Sequence, residues 1–408
     1  MSKLPRQIWI LALGRLLSEI GSGFTIFYAP IFFVQQVGLS ATSVGLALGS
    51  ASISGVAGRL ISGTYADRWG RKPVLLLSTI VLALACFIFT TTDNFPTLVA
   101  GCLVQGFGLG LYWPANEAIV ADLTEGEGRR FAYAITRLAD NIGMGLGIIA
   151  GGLLISSTGA YRTLFIIDGI SFCCFFVILL FGIQETLQAQ KTAVRFFSGY
   201  HRALHDRRLL IYVVVNIILT VYIAQTQTTL PLYFSGFVPQ ASARGFNPQV
   251  ISALFTGHLL VTIAAQLPML KLLEKLSHTR SLTISGGFWV LGFICITLTG
   301  TSANYQLLWA SLGLGLFALA IVAYTPTASA LIADFAPASL RGVYTSINSL
   351  CWAVGYAVGP PLGGWALDRS TQFAHNFWLG LAATVPIVWL ILGWLERSIG
   401  MRAVDDAL

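Results

Sequence analysis

The chain has 408 residues, of which 55% are hydrophobic and only 10% are charged, and its formal net charge at pH 7 is +7. Soluble globular domains carry about 25% charged residues, so this composition excludes an ordinary soluble enzyme or binding domain. Apolar runs of 18 residues or more recur along the whole length, and each predicts a helix that crosses a membrane.

The apolar runs predict an all-α integral membrane protein with twelve transmembrane helices. In chain order they lie near residues 7–34, 42–66, 73–91, 97–122, 130–156, 161–183, 209–234, 249–271, 280–299, 305–332, 341–366 and 374–396. The first run is too long for the apolar region of a signal peptide and lacks a small-residue cleavage site, so we expect it to stay in the mature protein. Neither a transit peptide nor an appended soluble domain is expected.

The positive charge is placed asymmetrically around these spans. Of the 24 Lys and Arg residues, 18 fall in loops or tails on the side of both termini, whereas Arg162, Arg244 and Arg369 fall on the other side. Because positive charge marks the cytoplasmic side of a membrane protein, we expect a multi-pass protein of the cytoplasmic (inner) membrane with both termini inside. The lipid bilayer is then its surroundings, and nucleic acid is not expected as a partner.

Cysteine usage gives no sign of a disulfide framework or a metal site. All six cysteines lie inside apolar spans, where they are typical packing residues: Cys86, Cys102, Cys173, Cys174, Cys295 and Cys351. The sequence also has no nucleophile–base arrangement and no phosphate-binding loop. We therefore expect no metal, no cofactor and no enzymatic activity.

The two halves of the chain share one plan. The polar segment 184–208 separates six spans from six, and residues 112–152 align without a gap on 324–364, with twelve of 41 positions identical. We therefore expect an N-terminal six-helix bundle (1–183), a cytoplasmic linker (184–208) and a C-terminal six-helix bundle (209–408). Two pseudo-symmetric halves of this kind are typical of secondary transporters that alternate access to a central site.

Four charged residues and two glycines are concentrated in the sequence GTYADRWGRK (63–72), between the second and third spans. It resembles the cytoplasmic signature of the major facilitator superfamily, and the resemblance extends over essentially the whole chain. VQGFG (104–108) and the glycine-rich fifth span are similar to motifs of its twelve-span drug:proton antiporter branch. Two positions depart from that branch: Cys102 stands where an Arg is common, and Ile148 stands where the fifth span usually has Pro.

The charged turn is interpreted as a latch on the cytoplasmic side. Glycines allow a tight turn and close approach of helix ends, and the basic residues can reach a carboxylate such as Asp122. The resemblance implies that Asp67 meets the start of span 11, near LRGVY (340–344), when that side is closed. The alternative is a loop that only sets topology. The latch candidates are Gly63, Asp67, Arg68, Gly70, Arg71, Lys72 and Asp122.

Ionisable residues inside a span are costly and indicate function. Arg15 and Glu19 lie four apart on span 1, and Arg137 and Asp140 lie three apart on span 5. Glu19 is our first candidate for the proton carrier, because burial and the neighbouring Arg15 can both act on its protonation. Asp140 and Glu117 are further candidates. Alternatively, Arg15–Glu19 and Arg137–Asp140 are static ion pairs that position helices.

Aromatic and amide side chains near the middle of several spans are candidates for a substrate cavity. Aromatic rings with a few amides suit a small amphipathic or weakly cationic organic molecule; each residue taken alone is also compatible with packing. The candidates are Tyr28, Gln105, Tyr112, Trp113, Asn216, Thr220, Tyr222, Gln225, Gln227, His258 and Tyr324.

Together these features predict a monomeric transporter that exports small organic substrates in exchange for protons. The alternatives left open are a symporter or uniporter for a metabolite and, in a different class, a membrane receptor or sensor without transport.

Overall fold

The computed structural model describes residues 4–186, 198–239, 244–337 and 340–405, and these ranges are almost entirely helical. Fourteen helices occur within them. They are α1 (Arg6–Gln35), α2 (Ala41–Trp69), α3 (Arg71–Thr90), α4 (Phe95–Leu123), α5 (Gly126–Thr158), α6 (Tyr161–Gly182), α7 (Ser198–Ala203), α8 (Arg207–Gln227), α9 (Thr229–Gly236), α10 (Pro248–Leu273), α11 (His278–Thr301), α12 (Gln306–Phe335), α13 (Arg341–Leu367) and α14 (Thr371–Asp405). Part of the predicted linker, residues 187–197, lies outside the described residues.

Eleven of the helices in the described ranges are long and apolar enough to cross a membrane. They correspond to eleven of the twelve predicted spans, so the prediction of an all-α membrane protein is confirmed. The predicted span 341–366 is the helix α13, which is 27 residues long but not among the eleven. Asn348, Pro360 and Pro361, together with several Ser and Gly residues, lower its mean hydropathy.

The predicted continuous span 209–234 was wrong, because the structure breaks it into α8 and α9 at Thr228. Pro231 explains the break. It has no N–H to offer the carbonyl group of Gln227 four residues earlier, and its ring collides with that carbonyl in a regular helix.

The chain folds into two compact units. The first comprises Met1–Lys191 with the short segments Asn247–Ala253 and Pro360–Trp365. In it, α1 packs on α5 and α6, α2 packs on α4, and α3 packs on α4 and α6. The second comprises Thr192–Phe246, Leu254–Gly359 and Ala366–Leu408, where α11 packs on α12 and α14, and α8 contacts α12 and α14.

Aromatic clusters fill the interior of each unit. In the first, Phe33 stacks on Phe165 with ring centroids 5.8 Å apart, and Phe89 contacts both rings. In the second, Trp289 lies 4.9 Å from Phe317 and 5.6 Å from Phe293, centroid to centroid. Such ring pairs add to the dispersion energy that holds helices together where water supplies no driving force.

The predicted glycine stripes lie where helix backbones meet. A side chain at Gly143 or Gly147 of α5 would collide with the backbone of α1, and one at Gly355 of α13 would collide with Thr220 of α8. A close backbone approach that the sequence reasoning missed is between α2 and α4. There a methyl group at Gly106 would collide with the carbonyl oxygen of Ala51.

The α2–α4 contact gives a stability prediction. Gly106→Ala should destabilise the protein by about 1–3 kcal/mol, because the added methyl group meets backbone atoms that cannot rotate away. Gly315→Ala on α12 is the matched control, because nothing lies within 4 Å of a methyl group there. That control should be neutral or stabilising by up to about 1 kcal/mol. The measurement is thermal unfolding of the purified variants in detergent, and equal unfolding temperatures would show that the close approach is not needed.

Candidate functional site

The centre of the candidate site is an ion pair between two helices of the first unit. Arg15 of α1 is completely buried, and its Nε donates to Oδ1 of Asp140 on α5 at 2.8 Å. Its Nη2 donates to Oδ2 of the same carboxylate at 2.5 Å. This two-pronged geometry is the strongest form of an Arg–carboxylate pair. Neither charge could remain at this depth without the other.

A second pair lies beside the first. Nη2 of Arg137 on α5 donates to Oε1 of Glu117 on α4 at 3.1 Å, and the same oxygen is 4.0 Å from Nη1 of Arg15. Both guanidinium groups also lie over the Trp113 ring, with Cζ 5.4 Å (Arg15) and 5.5 Å (Arg137) from its centroid. Two Arg and two carboxylates therefore balance in charge around one indole ring.

Glu19 lies in the same region, but nothing balances its charge. Its side chain is only 7% exposed and faces Gly143 of α5. Among the residues that the structure describes, no hydrogen bond or ion pair reaches its carboxyl group, although Arg15, Asp140 and Arg137 are close enough to act on it electrostatically. Glu19 is therefore the one carboxyl group of this cluster whose charge is not compensated by contact.

The two ion pairs that spacing along α1 and along α5 suggested, Arg15–Glu19 and Arg137–Asp140, are not formed among the described residues. Arg15 is bonded to Asp140 rather than Glu19, and Arg137 is bonded to Glu117 rather than Asp140. The glycine stripe of α5 explains this choice, because it brings the α1 and α5 backbones into contact. At that separation Arg15 reaches both oxygens of a carboxylate on the facing helix, a geometry that a neighbour on its own helix does not offer.

Asp168 of α6 is a buried carboxyl group that the sequence reasoning missed. It is 1% exposed, and the hydroxyl of Thr25 on α1 donates to its Oδ2 at 2.6 Å. The signal was present in the sequence as a single acidic residue within the apolar run LFIIDGISF (164–172). An acid inside a predicted span deserves the same scrutiny as Glu19.

The amide side chains predicted for a cavity are engaged in hydrogen bonds between helices of the second unit. Asn216 of α8 donates to Oδ1 of Asn348 on α13 at 2.8 Å and accepts from the hydroxyl of Tyr324 on α12. Gln225 donates to the carbonyl oxygen of Gly359 at 2.8 Å. Thr220 donates to the carbonyl oxygen of Cys351 at 3.1 Å. These contacts join α8 to α12 and α13, and they leave fewer free amide groups for a ligand than the sequence suggested.

Several other cavity candidates also have partners within their own unit. Tyr222 is hydrogen-bonded to Thr384, and His258 to the carbonyl oxygen of Leu314 at 2.8 Å. Tyr356 donates to Gln227 at 2.8 Å. In the first unit, Tyr28 donates to the carbonyl oxygen of Pro248 at 3.2 Å.

The other three cavity candidates lie on α4, the helix that also carries Glu117 of the charged cluster. The hydroxyl of Tyr112 is 3.5 Å from that of Ser18 on α1, and the Tyr112 ring is buried. Trp113 is partly buried, and its ring is covered by the two guanidinium groups described above. Gln105 lies nearer to the start of α4 and is partly buried.

The charged turn is shorter than predicted. Gly63 lies within α2 with open space around its Cα, so the expectation that it forms the turn was wrong. Gly70 alone separates α2 from α3, at φ 109°, which L side chains rarely adopt. The Nε of Arg71 is 3.4 Å from Oδ2 of Asp122. Arg68 is exposed, and the side chain of Asp67 lies outside the described part of the structure.

A carboxylate that the sequence reasoning did not single out binds the same turn. Oε1 of Glu185, just after α6, accepts from the backbone N–H of Arg71 at 2.9 Å, and its Oε2 accepts from that of Lys72 at 3.2 Å. The Nζ of Lys72 donates to the carbonyl oxygen of Leu180 at 2.8 Å. Glu185 thus satisfies free N–H groups at the start of α3 and meets its positive dipole end.

The chain is similar in sequence to multidrug resistance proteins of Salmonella. The multidrug resistance protein MdtH of Salmonella schwarzengrund (strain CVM19633) is 26% identical over 377 residues, which cover 89% of this chain and 88% of MdtH. MdtH of Salmonella newport (strain SL254) matches at the same identity and coverage.

Two solved structures show the same fold at low sequence identity. The nucleoside transporter NupG superposes with a TM-score of 0.83 at 14% identity, covering 96% of this chain and all of NupG. The peptide transporter POT in complex with sulfate superposes with a TM-score of 0.80 at 13% identity, covering 97% of this chain and 95% of POT.

The resemblance inferred from the charged turn is therefore confirmed, as is the expectation that the protein is not an enzyme. The family model described as Major Facilitator Superfamily matches residues 11–238 and 233–402, and the chain belongs to this superfamily of membrane transporters.

Proposed function

We infer that the protein is a secondary transporter that exports small amphipathic organic compounds in exchange for protons. The observation that supports this most directly is Glu19, a buried carboxyl group without a bonded partner beside two compensated ion pairs. The multidrug resistance relative MdtH supports the same substrate class.

Glu19 is proposed as the proton carrier because of the energetics of its position. An ionised carboxylate without a bonded partner inside a membrane protein costs several kcal/mol. Glu19 should therefore hold a proton while it is enclosed and release it when the surrounding helices admit water. Asp140 is less suited to this task, because the two-pronged contact with Arg15 keeps its negative charge compensated.

The proposal includes the architecture expected from the repeat. In this architecture, twelve spans form two six-helix bundles, 1–183 and 209–408, which are joined by the linker 184–208. Both termini lie in the cytoplasm, and the protein acts as a monomer in the inner membrane. Alternating access between the bundles would expose Glu19 and the substrate to each side in turn.

The turn at 63–72 is proposed as the cytoplasmic latch of this cycle. The contacts of Arg71 with Asp122 and of Glu185 with the start of α3 join the turn to α4 and to the segment after α6. In this proposal, Asp67 meets a neighbouring helix end when the cytoplasmic side closes.

Proton coupling is tested first in inverted membrane vesicles with an imposed pH gradient and a panel of lipophilic cations and neutral drugs. Compounds that collapse the gradient with wild-type protein should fail to do so with Glu19→Gln, with a loss of about 100-fold or more. The matched control is Glu125→Gln, which alters an exposed carboxyl group at the start of α5 and should behave as wild type.

Collapse that survives in Glu19→Gln would contradict the assignment of the proton carrier and direct attention to Asp140. If no compound moves protons while the vesicle controls work, the drug-antiporter proposal is overturned in favour of a metabolite carrier.

The latch predicts that Asp67→Asn reduces transport strongly while expression and membrane insertion stay normal. The reason is that the neutral amide loses most of the attraction to a helix N-terminus. The measurement is compound-driven proton movement normalised to the amount of folded protein. Asp93→Asn is the control, because Asp93 pairs with Arg162 at the α3–α4 connection and has no part in the turn. Wild-type rates in Asp67→Asn would leave the turn a topological signal only.

A further inference from the structure

Asp168 is a buried carboxyl group for which the proposed transport cycle has no role. Thr25 donates to its Oδ2, but Oδ1 is enclosed and has no hydrogen-bond partner of ordinary geometry among the described residues. Oδ1 faces the backbone of α1 at Gly21, and the hydroxyl of Ser171 faces the same point. A fully buried acid with one free oxygen is an unusual feature inside a bundle, because buried polar atoms are normally bonded.

The surroundings of Asp168 favour a carboxylic acid over a carboxylate. No cation is bonded to it in the described part of the chain, and Thr25 is its single bonded donor from α1. The hydroxyl of Ser171 donates to the backbone carbonyl of Asp168 at 2.7 Å, within the same helix. The neutral acid needs no compensating charge, whereas the ionised form would be a buried charge without a bonded cation.

The titratable and charged groups near Asp168 and Glu19 come from five helices. They are Cys86 of α3, Glu117 and Tyr112 of α4, Arg137 and Asp140 of α5, and Arg15 and Glu19 of α1, with Asp168 itself on α6. The Arg residues among them are bonded to carboxylates other than Asp168 and Glu19.

A stripe of hydroxyl groups on α1 leads from Asp168 toward Glu19. Glu19, Ser22 and Thr25 follow one another at intervals of three residues. The Cβ atoms of neighbours in this series therefore lie about 5–6 Å apart, and each side chain is rotated by about 60° around the helix axis relative to the one before it. Ser22 is partly buried, and no hydrogen bond from its hydroxyl is formed within the described residues. One water molecule can bridge hydroxyl groups at this separation.

We propose that Asp168, Thr25 and Ser22 form a proton path that supplies Glu19. The acid proton of Asp168 leaves from Oδ2, the oxygen bonded to Thr25. The Thr25 hydroxyl turns to accept it and releases its own proton toward Ser22. Ser22 likewise accepts one proton and releases another, and the carboxylate of Glu19 gains one. Asp168 then remains ionised until water returns a proton to it. The path rests on the proposed function, because it presupposes that Glu19 exchanges protons.

The positions along α1 give the path a direction. Thr25 lies six residues beyond Glu19, which corresponds to about 9 Å along the helix axis toward the end of α1. In the orientation proposed above, that end faces the outside of the cell. Asp168 is thus on the side from which an antiporter that exports its substrate takes up protons.

Two rates in proteoliposomes containing the full-length protein test the path, with ethidium as the transported probe. The first is ethidium movement driven by an imposed pH gradient, and the second is exchange of labelled for unlabelled ethidium without a gradient. Ser22→Ala, Thr25→Val and Asp168→Asn should each slow the first rate by about tenfold or more and leave the exchange rate close to wild type. A residue that only supports the fold would change both rates together.

Thr79→Val is the matched control for Thr25→Val. Thr79 is a buried threonine on α3 whose hydroxyl donates only to the carbonyl oxygen of Leu76 in its own helix, at 2.8 Å. Both of its rates should equal those of wild type. If Asp168→Asn does not fold, Ser22→Ala still tests the path. This variant removes one partly buried oxygen that has no bonded partner, so the protein should fold normally.

The outcomes separate this path from the proposed function. If wild-type protein moves neither ethidium nor any compound of the panel above with a pH gradient, both are overturned. If wild-type protein does so and Glu19→Gln does not, but Ser22→Ala and Thr25→Val match wild type, only the path is overturned. The infrared carbonyl bands of protonated carboxylic acids should lose one component in Asp168→Asn and a different component in Glu19→Gln. A spectrum of Asp168→Asn that equals wild type in this region contradicts the path.

Discussion

The ion pair between Arg15 and Asp140 is the contact on which the arrangement of the first unit depends. A guanidinium group that is completely buried in a membrane protein must have a compensating charge in direct contact, and that charge comes from α5 rather than from α1 itself. The pair therefore fixes α1 against α5 at one depth and one rotation. Once it is formed, Glu117 turns to Arg137, Trp113 lies against both guanidinium groups, and Glu19 is left without a partner.

Close backbone contact makes this pairing possible. Gly143 and Gly147 let α1 approach α5 to the distance at which Arg15 reaches both carboxylate oxygens. The same device joins α2 to α4 at Gly106 and α13 to α8 at Gly355. In each case the absence of a side chain lets the two helices approach closely. Packing and electrostatics are thus one problem in this protein, because a bulkier residue in a stripe would also change which charges meet.

Eleven of the predicted spans and their order could be predicted from the sequence because hydropathy is a local property of the chain. The glycine stripe of α5 could be predicted for the same reason, since its four-residue period lies within one helix. The partners of Arg15 and Arg137 could not, because spacing along one helix offers Glu19 and Asp140 while the choice is made by a facing helix. Gly63 was assigned to a turn that Gly70 forms alone, since a motif does not show where a helix ends.

The hydrogen bonds of Asn216, Thr220 and Gln225 illustrate a second limit. Amides on one face of a predicted span are compatible with a ligand site and equally with bonds to another helix, and only the positions of α12 and α13 decide between the two. Asp168 is visible in the sequence as an acidic residue within an apolar run, but its partner Thr25 is 143 residues away and spacing along one helix does not indicate it.

The charge balance of the Arg15 cluster has an electrical consequence. With two guanidinium groups set against Asp140 and Glu117, the cluster has no net charge when Glu19 is protonated and a single negative charge when it is not. In the proposed transport cycle, a proton carried on Glu19 would cross the bilayer as part of a neutral site, and the ionised site would return with one unit of charge. Each such unit couples to the membrane voltage by about 2.3 kcal/mol per 100 mV. The proposed exchange for a neutral compound would then be driven by voltage and proton gradient together, whereas exchange for a monovalent cation would be electrically silent.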